Sequence, residues 1–474
     1  MAFINYQTKR IDHWDEVARM MDSWRGVGGY YHQRLCEVYR FLIPPGQKVL
    51  EIGCGQGNLL AELKPSIGIG VDFSFEMIQR ARARHPDLSF MQADAHEFEL
   101  EDTFDTVVLS DLVNDVWDVQ QVFRQINKLC RPETRIVLNT YSRFWELPLS
   151  AAEKLNLAKP VLHQNWLTVE DIADLLYLEN FEMIRSWPEV LLPLGIPGLE
   201  ILCNRYLVKL WPLKYFALTN FILARPLPGC YNRLAKPSVS VMVPARNEAG
   251  NIPKIFTQVP ELGNRTELVF VEGHSTDNTY AAIEKEMQIY PERHSKLARQ
   301  EGKGKGDAVR KGFSIADGDI LMILDADLTV PPEDLVRFYD ALVSGKAEFV
   351  NGVRLVYPME KEAMRFFNLL GNKFFSRVFT WLLGQPVKDT LCGTKALWKK
   401  DYDRISANRG YFGDFDPFGD FDLLFGAARL GLKIVDLPVR YRERTYGTTN
   451  IQRWKHGWLL LKMVSFAAGK IKFI

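Results

Sequence analysis

The sequence lacks several features that would place it in a specialised class of protein. Its 474 residues include only six scattered cysteines, with no Cys-x-x-Cys pair, which argues against a disulfide framework and favours reduced thiols in a cytosol. No uncharged apolar run reaches the roughly 18 residues of a membrane-spanning helix, and the N-terminus lacks the apolar core of a signal peptide. Basic side chains number 59 and acidic ones 58, so no nucleic-acid partner is expected. We therefore expect a cytoplasmic chain.

Apolar residues are plentiful enough for more than one core. A chain of 474 residues with 47% hydrophobic content is expected to form two or more domains. Short apolar strands alternate with helices from residue 49 to 138 and again from residue 239, a pattern typical of parallel sheets covered by helices. Between the two alternations, residues 193–237 contain six prolines. The sequence therefore predicts two α/β domains, at 1–232 and 233–474.

A glycine turn follows the first predicted strand. Gly53, Gly55 and Gly57 form the pattern G-x-G-x-G, which differs from the G-x-G-x-x-G of a dinucleotide site. Glu51, just before the turn, would repel a pyrophosphate, so we expect a cationic ligand without phosphate. Asp72 and Asp94 end the next two predicted strands, where carboxylates can accept hydrogen bonds from ribose hydroxyls and from an adenine amine.

In this order, these residues resemble the class I S-adenosylmethionine-dependent methyltransferases over about residues 15–190. The resemblance implies a Rossmann-like sheet of seven strands and a methyl transfer to a small molecule, lipid or glycan. The implied cofactor contacts are Glu51, Gly53, Gly55, Gly57, Asp72, Phe73, Asp94, Ala95 and Ser110. Many relatives have a histidine shortly after the fourth strand, where this chain has Asn114. The base is therefore left open among Asp111, Asp115, Tyr30 and Tyr31.

An acidic pair follows another apolar strand in the second half. Asp325 and Asp327 flank one residue after strand 320–324, so in an extended segment their side chains share a face. Their hard oxygen atoms suit Mg²⁺ or Mn²⁺, and such an ion would neutralise a diphosphate leaving group. Polar clusters at 244–248, 272–277 and 304–308 add acceptors for a nucleoside and a lysine for phosphate.

Residues 237–450 resemble the family-2 glycosyltransferases of GT-A fold, and most closely the dolichyl- or polyprenyl-phosphate sugar transferases. The resemblance implies inverting transfer from a UDP- or GDP-linked sugar to a polyprenyl phosphate or a glycan. The implied donor contacts are Pro244, Ala245, Asn247, Glu248, Glu272, Ser275, Lys305, Gly306, Asp325, Ala326, Asp327 and Arg354, with Asp325 and Asp327 as metal ligands. Glu272 and Thr449-Asn450 depart from the family's usual residues, so the lipid acceptor stays open.

Three further residues complete the predicted catalytic set of the second half. Arg444 would hold phosphate. Asp422 would act as a base or contact the acceptor, whereas Asp420 is assigned to cap the following helix, and the reverse assignment stays open. A lipid-phosphate acceptor would need no base, because its oxygen is already ionised near neutral pH.

The join between the halves has an unusual charge pattern. From residue 201 to 247 there are seven Lys or Arg and no Asp or Glu, and residues 205–225 and 451–474 mix aromatic with basic side chains. Such amphipathic helices favour anionic membrane surfaces, although they could instead cover the protein's own cores. We expect peripheral association with the inner face of the cell membrane.

Three functions fit these signatures. The favoured one is a bifunctional enzyme that transfers both a sugar and a methyl group. The second is a glycosyltransferase whose first half binds S-adenosylmethionine as a regulatory or docking module. The third, a membrane-surface scaffold with inactive sites, is disfavoured because the acidic pair and the glycine turn are both intact.

Overall fold

The computed structural model describes residues 2–20, 29–154, 162, 164–227, 236–354, 366–409, 421–442, 444, 446 and 453–473. The chain divides into two compact units, Met1–Tyr231 with Phe473–Ile474, and Asn232–Lys472. The boundary expected near residue 232 lies outside the described residues.

The first unit is built on a sheet of seven strands. In chain order they are β1 (Lys48–Ile52), β2 (Ile67–Asp72), β3 (Ser89–Gln92), β4 (Thr106–Ser110), β5 (Arg135–Tyr141), β6 (Phe181–Glu189) and β7 (Thr219–Pro226). Their spatial order is β3-β2-β1-β4-β5-β7-β6. The first five strands in this order are parallel, and β7 runs antiparallel to both β5 and β6.

Helices flank this sheet. They are α1 (Ala2–Met20), α2 (Gly29–Leu42), α3 (Asn58–Glu62), α4 (Phe75–Arg84), α5 (Val119–Asn127), α6 (Glu146–Lys154), α7 (Val169–Leu178) and α8 (Leu199–Ile201). Successive strand residues belong to different cores: Val107 packs in the cluster that includes α5 and α7, and Val108 in the cluster that includes α2 and α4. Both faces are therefore buried, as the near-continuous apolar strands predict.

The second unit is built on another seven-stranded sheet. Its strands are β8 (Val239–Ala245), β9 (Thr266–Glu272), β10 (Ser295–Arg299), β11 (Ile320–Ile323), β12 (Phe349–Val353), β13 (Lys395–Trp398) and β14 (Ile434–Pro438). The order is β10-β9-β8-β11-β13-β12-β14. β13 runs antiparallel to β11 and β12, and the other recorded pairings are parallel.

The helices of the second unit are α9 (Ile252–Gln258), α10 (Thr279–Ile289), α11 (Lys305–Ile315), α12 (Leu335–Val343), α13 (Phe366–Leu383), α14 (Lys399–Ala407), α15 (Phe421–Arg429) and α16 (Arg453–Ala467). The C-terminal helix expected from the sequence is present as α16. Leu460, Met463 and Ala467 pack into the core, while Trp458 and Leu461 are exposed. One face of α16 therefore covers the protein's own core.

The join departs from the helical expectation in two respects. Residues 219–226 form β7, a buried strand, so only the preceding part of 205–225 is available at a surface. Lys209 is also buried and pairs with Glu189. None of the described helices combines the length and apolarity required to cross a bilayer.

Candidate active sites

In the first unit, the carboxyl ends of the parallel strands lie along one edge of the sheet. The strand order reverses between β1 and β4, with β2 and β3 on one side and β5 on the other. Open parallel sheets bind ligands in the crevice at such a point. All nine residues expected to contact the cofactor lie on β1, β2 and β4 or in the segments that follow β1, β2 and β3.

Glu51 lies near the end of β1 and is only 2% exposed. Its Oε2 atom is buried and has no hydrogen-bond partner in the described part of the chain. Burial raises the pKa of Glu51 to about 8; a backbone hydrogen bond from Leu60 lowers it, and the charge of Asp72 raises it further. Because an unpaired buried oxygen is costly, a cationic N–H donor at this position would be stabilising.

Asp72 connects the end of β2 to the glycine turn. Its Oδ2 accepts a hydrogen bond of 2.9 Å from the backbone N–H of Gly55, and its Oδ1 accepts one of 2.9 Å from that of Ser74. Burial raises the pKa of Asp72 to about 6, although these two bonds lower it. The carboxylate therefore fixes the turn that carries Gly53, Gly55 and Gly57.

Asp94 follows β3 and is held from two directions. The backbone N–H of His96 donates to Oδ1 at 2.8 Å, and Gln7 Nε2 of α1 donates to Oδ2 at 2.6 Å. Burial raises the pKa of Asp94, but the hydrogen bonds from His96 and Gln7 outweigh this effect and hold the pKa below its usual value.

A small cavity of about 20 Å³ lies beside Asp94. Phe73 and Ala95 line it, as do Tyr6 and Arg10 of α1. This volume is enough for about one water molecule, so a larger ligand at Asp94 requires α1 to shift. This role of α1 could not be predicted from the sequence, because none of the polar residues of the helix forms a recognisable motif.

The segment after β4 is also polar. Ser110 donates through Oγ to Asn139 Oδ1 at 3.1 Å. Asp111 follows with a positive φ of 54° and accepts a hydrogen bond of 2.8 Å from the hydroxyl of Tyr31. The last cofactor contact expected from the sequence, Ser110, thus adjoins one of the candidate bases.

In the second unit, the loops after β8 and β9 are hydrogen-bonded to each other. Ala245 and Glu272 are register partners at the strand ends. The backbone N–H of Asn247 donates to Ser275 Oγ at 3.0 Å, and the N–H of Ser275 donates to Glu272 Oε1 at 2.5 Å. The structure therefore brings four predicted donor contacts, Ala245, Asn247, Glu272 and Ser275, together at the ends of β8 and β9. Pro244 lies on β8, just before Ala245.

Asp325 lies just beyond β11 and pairs with the first residue of α11. The distance from Lys305 Nζ to Asp325 Oδ1 is 2.5 Å. Burial raises the pKa of Asp325, but the charge and hydrogen bond of Lys305, together with the charges of Lys395 and Arg354, hold it below its usual value. The carboxylate is therefore ionised at neutral pH.

Gly393 lies against this ion pair. A Cβ atom at Gly393 would lie 2.1 Å from Asp325 Oδ2 and 2.1 Å from Lys305 Nζ. Any side chain would displace one of these groups, so the glycine keeps the space beside the carboxylate open.

Asp327 is linked to a different loop. Its Oδ1 accepts a hydrogen bond of 2.8 Å from Thr329 Oγ1, and its Oδ2 lies 2.6 Å from Arg444 NH2. Arg444 NH1 lies 3.5 Å from Glu248 Oε1. Burial raises the pKa of Glu248 to about 7, while Asn251 and Arg444 lower it. Arg444 thus bridges two carboxylates from separate loops.

Arg354 pairs elsewhere. Its Nε and NH2 atoms lie 2.7 and 2.9 Å from the two carboxylate oxygens of buried Asp389. Its charge still acts on Asp325. Asp389 thus holds the guanidinium in a two-point ion pair. A direct contact between Arg354 and the sugar-nucleotide donor stays a prediction.

The remaining predicted residues are less closely tied to this site. Asp422 lies in the first turn of α15 and accepts a hydrogen bond of 2.8 Å from Arg409 Nε. Its assignment as a base stays a prediction, and Asp420 lies outside the described residues. Ala326 and Gly306 are buried next to the acidic pair and Lys305 in the chain.

Two family models match the chain. Residues 27–186 match a methyltransferase domain, and residues 240–405 match glycosyl transferase family 2. The chain joins a methyltransferase domain to a family-2 glycosyltransferase domain. With the two seven-stranded sheets, these matches confirm the predicted fold class and the prediction of two transferases.

Curated relatives match the glycosyltransferase domain. A dolichol-phosphate mannosyltransferase of Pyrococcus furiosus is 28% identical over 222 residues, covering 45% of this chain and 59% of that enzyme. A dolichyl-phosphate hexose transferase of Haloferax volcanii is 28% identical over 229 residues, covering 48% and 92%. The chain thus spans about three fifths of the length of the Pyrococcus enzyme.

The methyltransferase domain is similar to solved structures. A crystal structure of an S-adenosylmethionine dependent methyltransferase from Mesorhizobium loti shares 21% identity with a TM-score of 0.32, covering 42% of this chain and all of that one.

The residues of both domains fit the groups that the resemblances imply. The unpaired Oε2 of Glu51 suits the cationic end of S-adenosylmethionine, and carboxylates such as Asp72 retain lone pairs for ribose hydroxyls. The described residues contain no cluster of three or more His, Cys, Asp or Glu placed to hold a metal. Asp325 and Asp327 still fit Mg²⁺ or Mn²⁺, because such ions are often bound through one or two carboxylates plus substrate phosphates.

Proposed function

We propose that this chain is a bifunctional transferase. Its second domain transfers a sugar, with inversion, from a UDP- or GDP-linked donor to a polyprenyl phosphate, and its first domain transfers a methyl group from S-adenosylmethionine to a small molecule, lipid or glycan. A glycan is the alternative acceptor for the sugar.

The pairing of each acid of the D-x-D motif with a cation from another segment carries the proposal for sugar transfer. Asp325 pairs with Lys305, and Asp327 pairs with Arg444. When a nucleotide diphosphate and a divalent ion bind together, the phosphates can take the two cations while the ion takes the two carboxylates. The two internal ion pairs can thus be replaced by ion pairs with a ligand that brings both negative phosphates and a positive metal ion.

Within this site, the residues divide by role into those that bind phosphate, those that bind the nucleoside and one that leaves room beside Asp325. A bound divalent cation would supply positive charge to the leaving diphosphate. Lys305 and Arg444 would bind phosphate oxygens, Glu272 and Ser275 would bind the nucleoside, and the glycine at 393 leaves room beside Asp325. The acceptor must approach from the face opposite the leaving group, as inversion requires.

A phosphate acceptor is favoured over a hydroxyl. Asp422, the predicted base, is already paired with Arg409, and Glu248, with a pKa of about 7, is bound to Arg444. A lipid phosphate needs no base, because it is ionised near pH 7. The names of the two archaeal relatives support the same class of acceptor.

The methyltransferase assignment rests on the buried acids at the crevice between β1 and β4. Bound S-adenosylmethionine would supply an electrophilic methyl group. Glu51 would pair with its ammonium, Asp72 would accept its ribose hydroxyls, and Asp94 with Ala95 and Phe73 would bind its adenine. Asp94 can do so only if Gln7 of α1 gives way or shares the carboxylate.

A membrane-facing surface also belongs to this proposal. Residues 196–216 expose apolar side chains, of which Trp211 is 77% exposed, together with the exposed side chain of Arg205 and the half-buried side chain of Lys214. We name this set the aromatic–basic surface; its exposed apolar members are Ile196, Leu199, Ile201, Leu202, Tyr206, Leu210, Trp211, Tyr215 and Phe216. Aromatic and basic residues together favour an anionic lipid interface.

A thermal-shift experiment tests both transferase assignments. The full chain would be heated with UDP- and GDP-linked sugars in the presence of Mg²⁺ or Mn²⁺, and separately with S-adenosylmethionine. We expect one nucleotide class to stabilise the protein only with the metal, and S-adenosylmethionine to stabilise it without metal. If no nucleotide sugar stabilises the protein, the glycosyltransferase half of the proposal is overturned. If S-adenosylmethionine does not stabilise it, the methyltransferase half is overturned.

Sedimentation with anionic vesicles tests the aromatic–basic surface. We expect Trp211→Ala with Tyr215→Ala to reduce binding to phosphatidylserine-containing vesicles at low salt. Tyr177→Ala is the matched control, since it removes an aromatic side chain that is 67% exposed on α7. Equal sedimentation of the three proteins would refute the surface.

A further inference from the structure

The methyl acceptor must bind next to the crevice between β1 and β4, and the structure narrows the choice of residue that meets it. Four residues were candidates for the base: Asp111, Asp115, Tyr30 and Tyr31. Their partners differ sharply. This comparison rests on the proposed methyl transfer and extends it to the acceptor side.

Asp115 is already neutralised. Its Oδ1 pairs with Arg10 of α1, and its Oδ2 accepts a hydrogen bond of 2.8 Å from Trp14 Nε1. Both oxygens are therefore bound by α1. Burial raises the pKa of Asp115 above its usual value, and the charge of Arg10 and the hydrogen bond from Trp14 offset this effect only in part. Its contacts are those of a residue that docks α1.

The two tyrosines are also unsuited to take a proton. The hydroxyl of Tyr30 accepts a hydrogen bond of 3.2 Å from Asn204 Nδ2. The hydroxyl of Tyr31 donates to Asp111 Oδ1 at 2.8 Å. Burial raises the pKa of both, and that of Tyr31 far above its usual value, so both hydroxyls stay protonated near pH 7 and neither is suited to act as the base.

Asp111 has one committed and one available oxygen. Tyr31 and Asn139 both donate to Oδ1. No described residue donates a hydrogen bond to Oδ2. Oδ2 is also not one of the fully buried atoms without a partner, so it remains accessible to a ligand. Burial raises the pKa of Asp111 to about 7, and the bonds from Tyr31 and Asn139 lower it. The carboxyl can therefore both hold and release a proton near neutral pH.

The backbone fixes Asp111 at the crevice. Its φ of 54° lies in the left-handed region, which is unfavourable for most residues other than glycine and is common at functional sites. The next residue, Leu112, touches the glycine turn: a Cβ at Gly53 would lie 2.8 Å from Leu112 Cδ1. The turn that would hold the methyl donor is thus in contact with the segment that carries Asp111.

Aromatic rings extend away from Asp111. The rings of Tyr31 and Tyr141 are 6.0 Å apart, and those of Tyr141 and Trp166 are 6.4 Å apart. Tyr141 and Trp166 are partly exposed. A carboxylate beside aromatic faces suits an amine as the acceptor. Its ammonium form is attracted by both, and its neutral form, which is the nucleophile, still has an N–H proton to give.

We propose that Asp111 holds the acceptor's N–H or O–H group through Oδ2 and takes its proton during methyl transfer. The acceptor atom forms a bond to the methyl carbon, and its proton moves to the carboxylate of Asp111. The electrons of the broken carbon–sulphur bond stay on sulphur. The row of rings from Tyr31 to Trp166 forms the wall along which the rest of the acceptor lies.

The inference can be tested without a known acceptor. Sinefungin resembles S-adenosylmethionine but carries an amine where the donor carries its reactive methyl, so its ammonium should meet Asp111. S-adenosylhomocysteine carries no charge there. Calorimetry on the full chain should show that sinefungin binds more tightly than S-adenosylhomocysteine, by roughly ten- to a hundredfold, the usual scale of a charge-assisted hydrogen bond.

The variant Asp111→Asn should lose this preference and bind S-adenosylhomocysteine as wild type does. Asparagine has nearly the same shape and tolerates the left-handed backbone, so equal affinity for S-adenosylhomocysteine reports an intact fold. Asp87→Asn is the matched control, because it makes the same change at an exposed position of the same domain; its preference for sinefungin should persist.

The outcomes separate this inference from the proposed function. A wild type that binds S-adenosylhomocysteine and sinefungin equally, or an Asp111→Asn variant that keeps the preference, overturns the role of Asp111 and leaves the cofactor site standing. A wild type that binds neither ligand nor S-adenosylmethionine overturns the methyltransferase proposal itself.

Discussion

Clustered carboxylates lie at the strand ends of both domains, but their surroundings differ. In the methyltransferase domain, burial raises the pKa values of Glu51, Asp72 and Asp111, and the other groups that act on them are neutral or negative. In the glycosyltransferase domain, Asp325 pairs with Lys305 and Asp327 with Arg444.

This difference teaches what each site lacks. In the first site no cation of the described residues acts strongly on Glu51, Asp72 or Asp111, so a ligand that brings positive charge would relieve the cost of burying these three acids. The second has its positive charge built in, so it can accept a ligand in which phosphates and a metal are already balanced. The four predictions below test the contrast.

The largest effect is expected at the acidic pair. Asp325→Asn with Asp327→Asn should reduce sugar transfer roughly 1,000-fold or more, since loss of the metal removes several kcal/mol of charge stabilisation. Calorimetry should show unchanged binding of S-adenosylmethionine. The control is Asp340→Asn, an exposed carboxylate on α12. Sugar transfer at the wild-type rate in the double variant would refute the metal site.

Glu51 should make the stability of the methyltransferase domain depend on pH. Its folded pKa of about 8 lies above the ordinary value of 4.5. The fold is therefore favoured by the protonated form, and this contribution is lost as pH rises from about 4.5 through about 8. Glu51→Gln should remove this pH-dependent loss of unfolding free energy, which is on the order of 3 kcal/mol.

Chemical unfolding at pH 5 and pH 8 measures this difference. The gain in unfolding free energy on mutation should be larger at pH 8 than at pH 5, and exposed Glu101→Gln should show no such change. S-adenosylmethionine should also release a proton on binding to wild type and fail to do so with Glu51→Gln. Parallel pH profiles for wild type and variant would contradict the assignment.

Asp72 should contribute to cofactor affinity and to the shape of the glycine turn. Asp72→Ala removes the acceptors for ribose and for the N–H of Gly55, and should weaken S-adenosylmethionine binding by ~1–3 kcal/mol. Asp87→Ala, an exposed position in the same domain, is the control. Equal calorimetric affinities would show that Asp72 does not contact the ligand.

Removing an internal cation should make the second site resemble the first. Lys305→Gln should raise the pKa of Asp325 and weaken binding of a nucleotide diphosphate with Mn²⁺ by about 1.4 kcal/mol, or tenfold, with a steeper loss as pH falls. Lys311→Gln, on the same helix, is the control. If affinity and its pH dependence do not change, the Lys305–Asp325 pair plays no part in donor binding.

Short-range pattern was enough to predict most of the parallel strands and their polar ends. The glycine turn after β1 and the acids after β2, β3 and β11 follow apolar runs, and a parallel sheet places such ends at one edge. β7 was missed because its apolar residues continue a stretch rich in aromatic and basic residues. β10, β13 and β14 were also missed: Ser295–Arg299 is a short, partly polar edge strand, and β13 and β14 are only four and five residues long.

Contacts between distant segments were out of reach of the pattern. Nothing in the sequence near Arg354 reveals that Asp389 takes both of its donor groups. Likewise, the burial of Lys209 against Glu189 and the docking of α1 on Asp94 and Asp115 depend on three-dimensional packing. A charged residue reads the same in sequence whether it binds a ligand or another side chain.

The reversed direction of β13 has a consequence for engineering this enzyme. Because β13 runs antiparallel to β11, its first residues lie at the same edge of the sheet as Asp325. Gly393 lies in the loop just before the first residue of β13. Changes in the length of the loop between α13 and β13 would therefore shift Gly393 against the ion pair. The other end of β13, at Trp398, lies at the opposite edge and continues directly into α14, so changes there would act on that helix rather than on the ion pair.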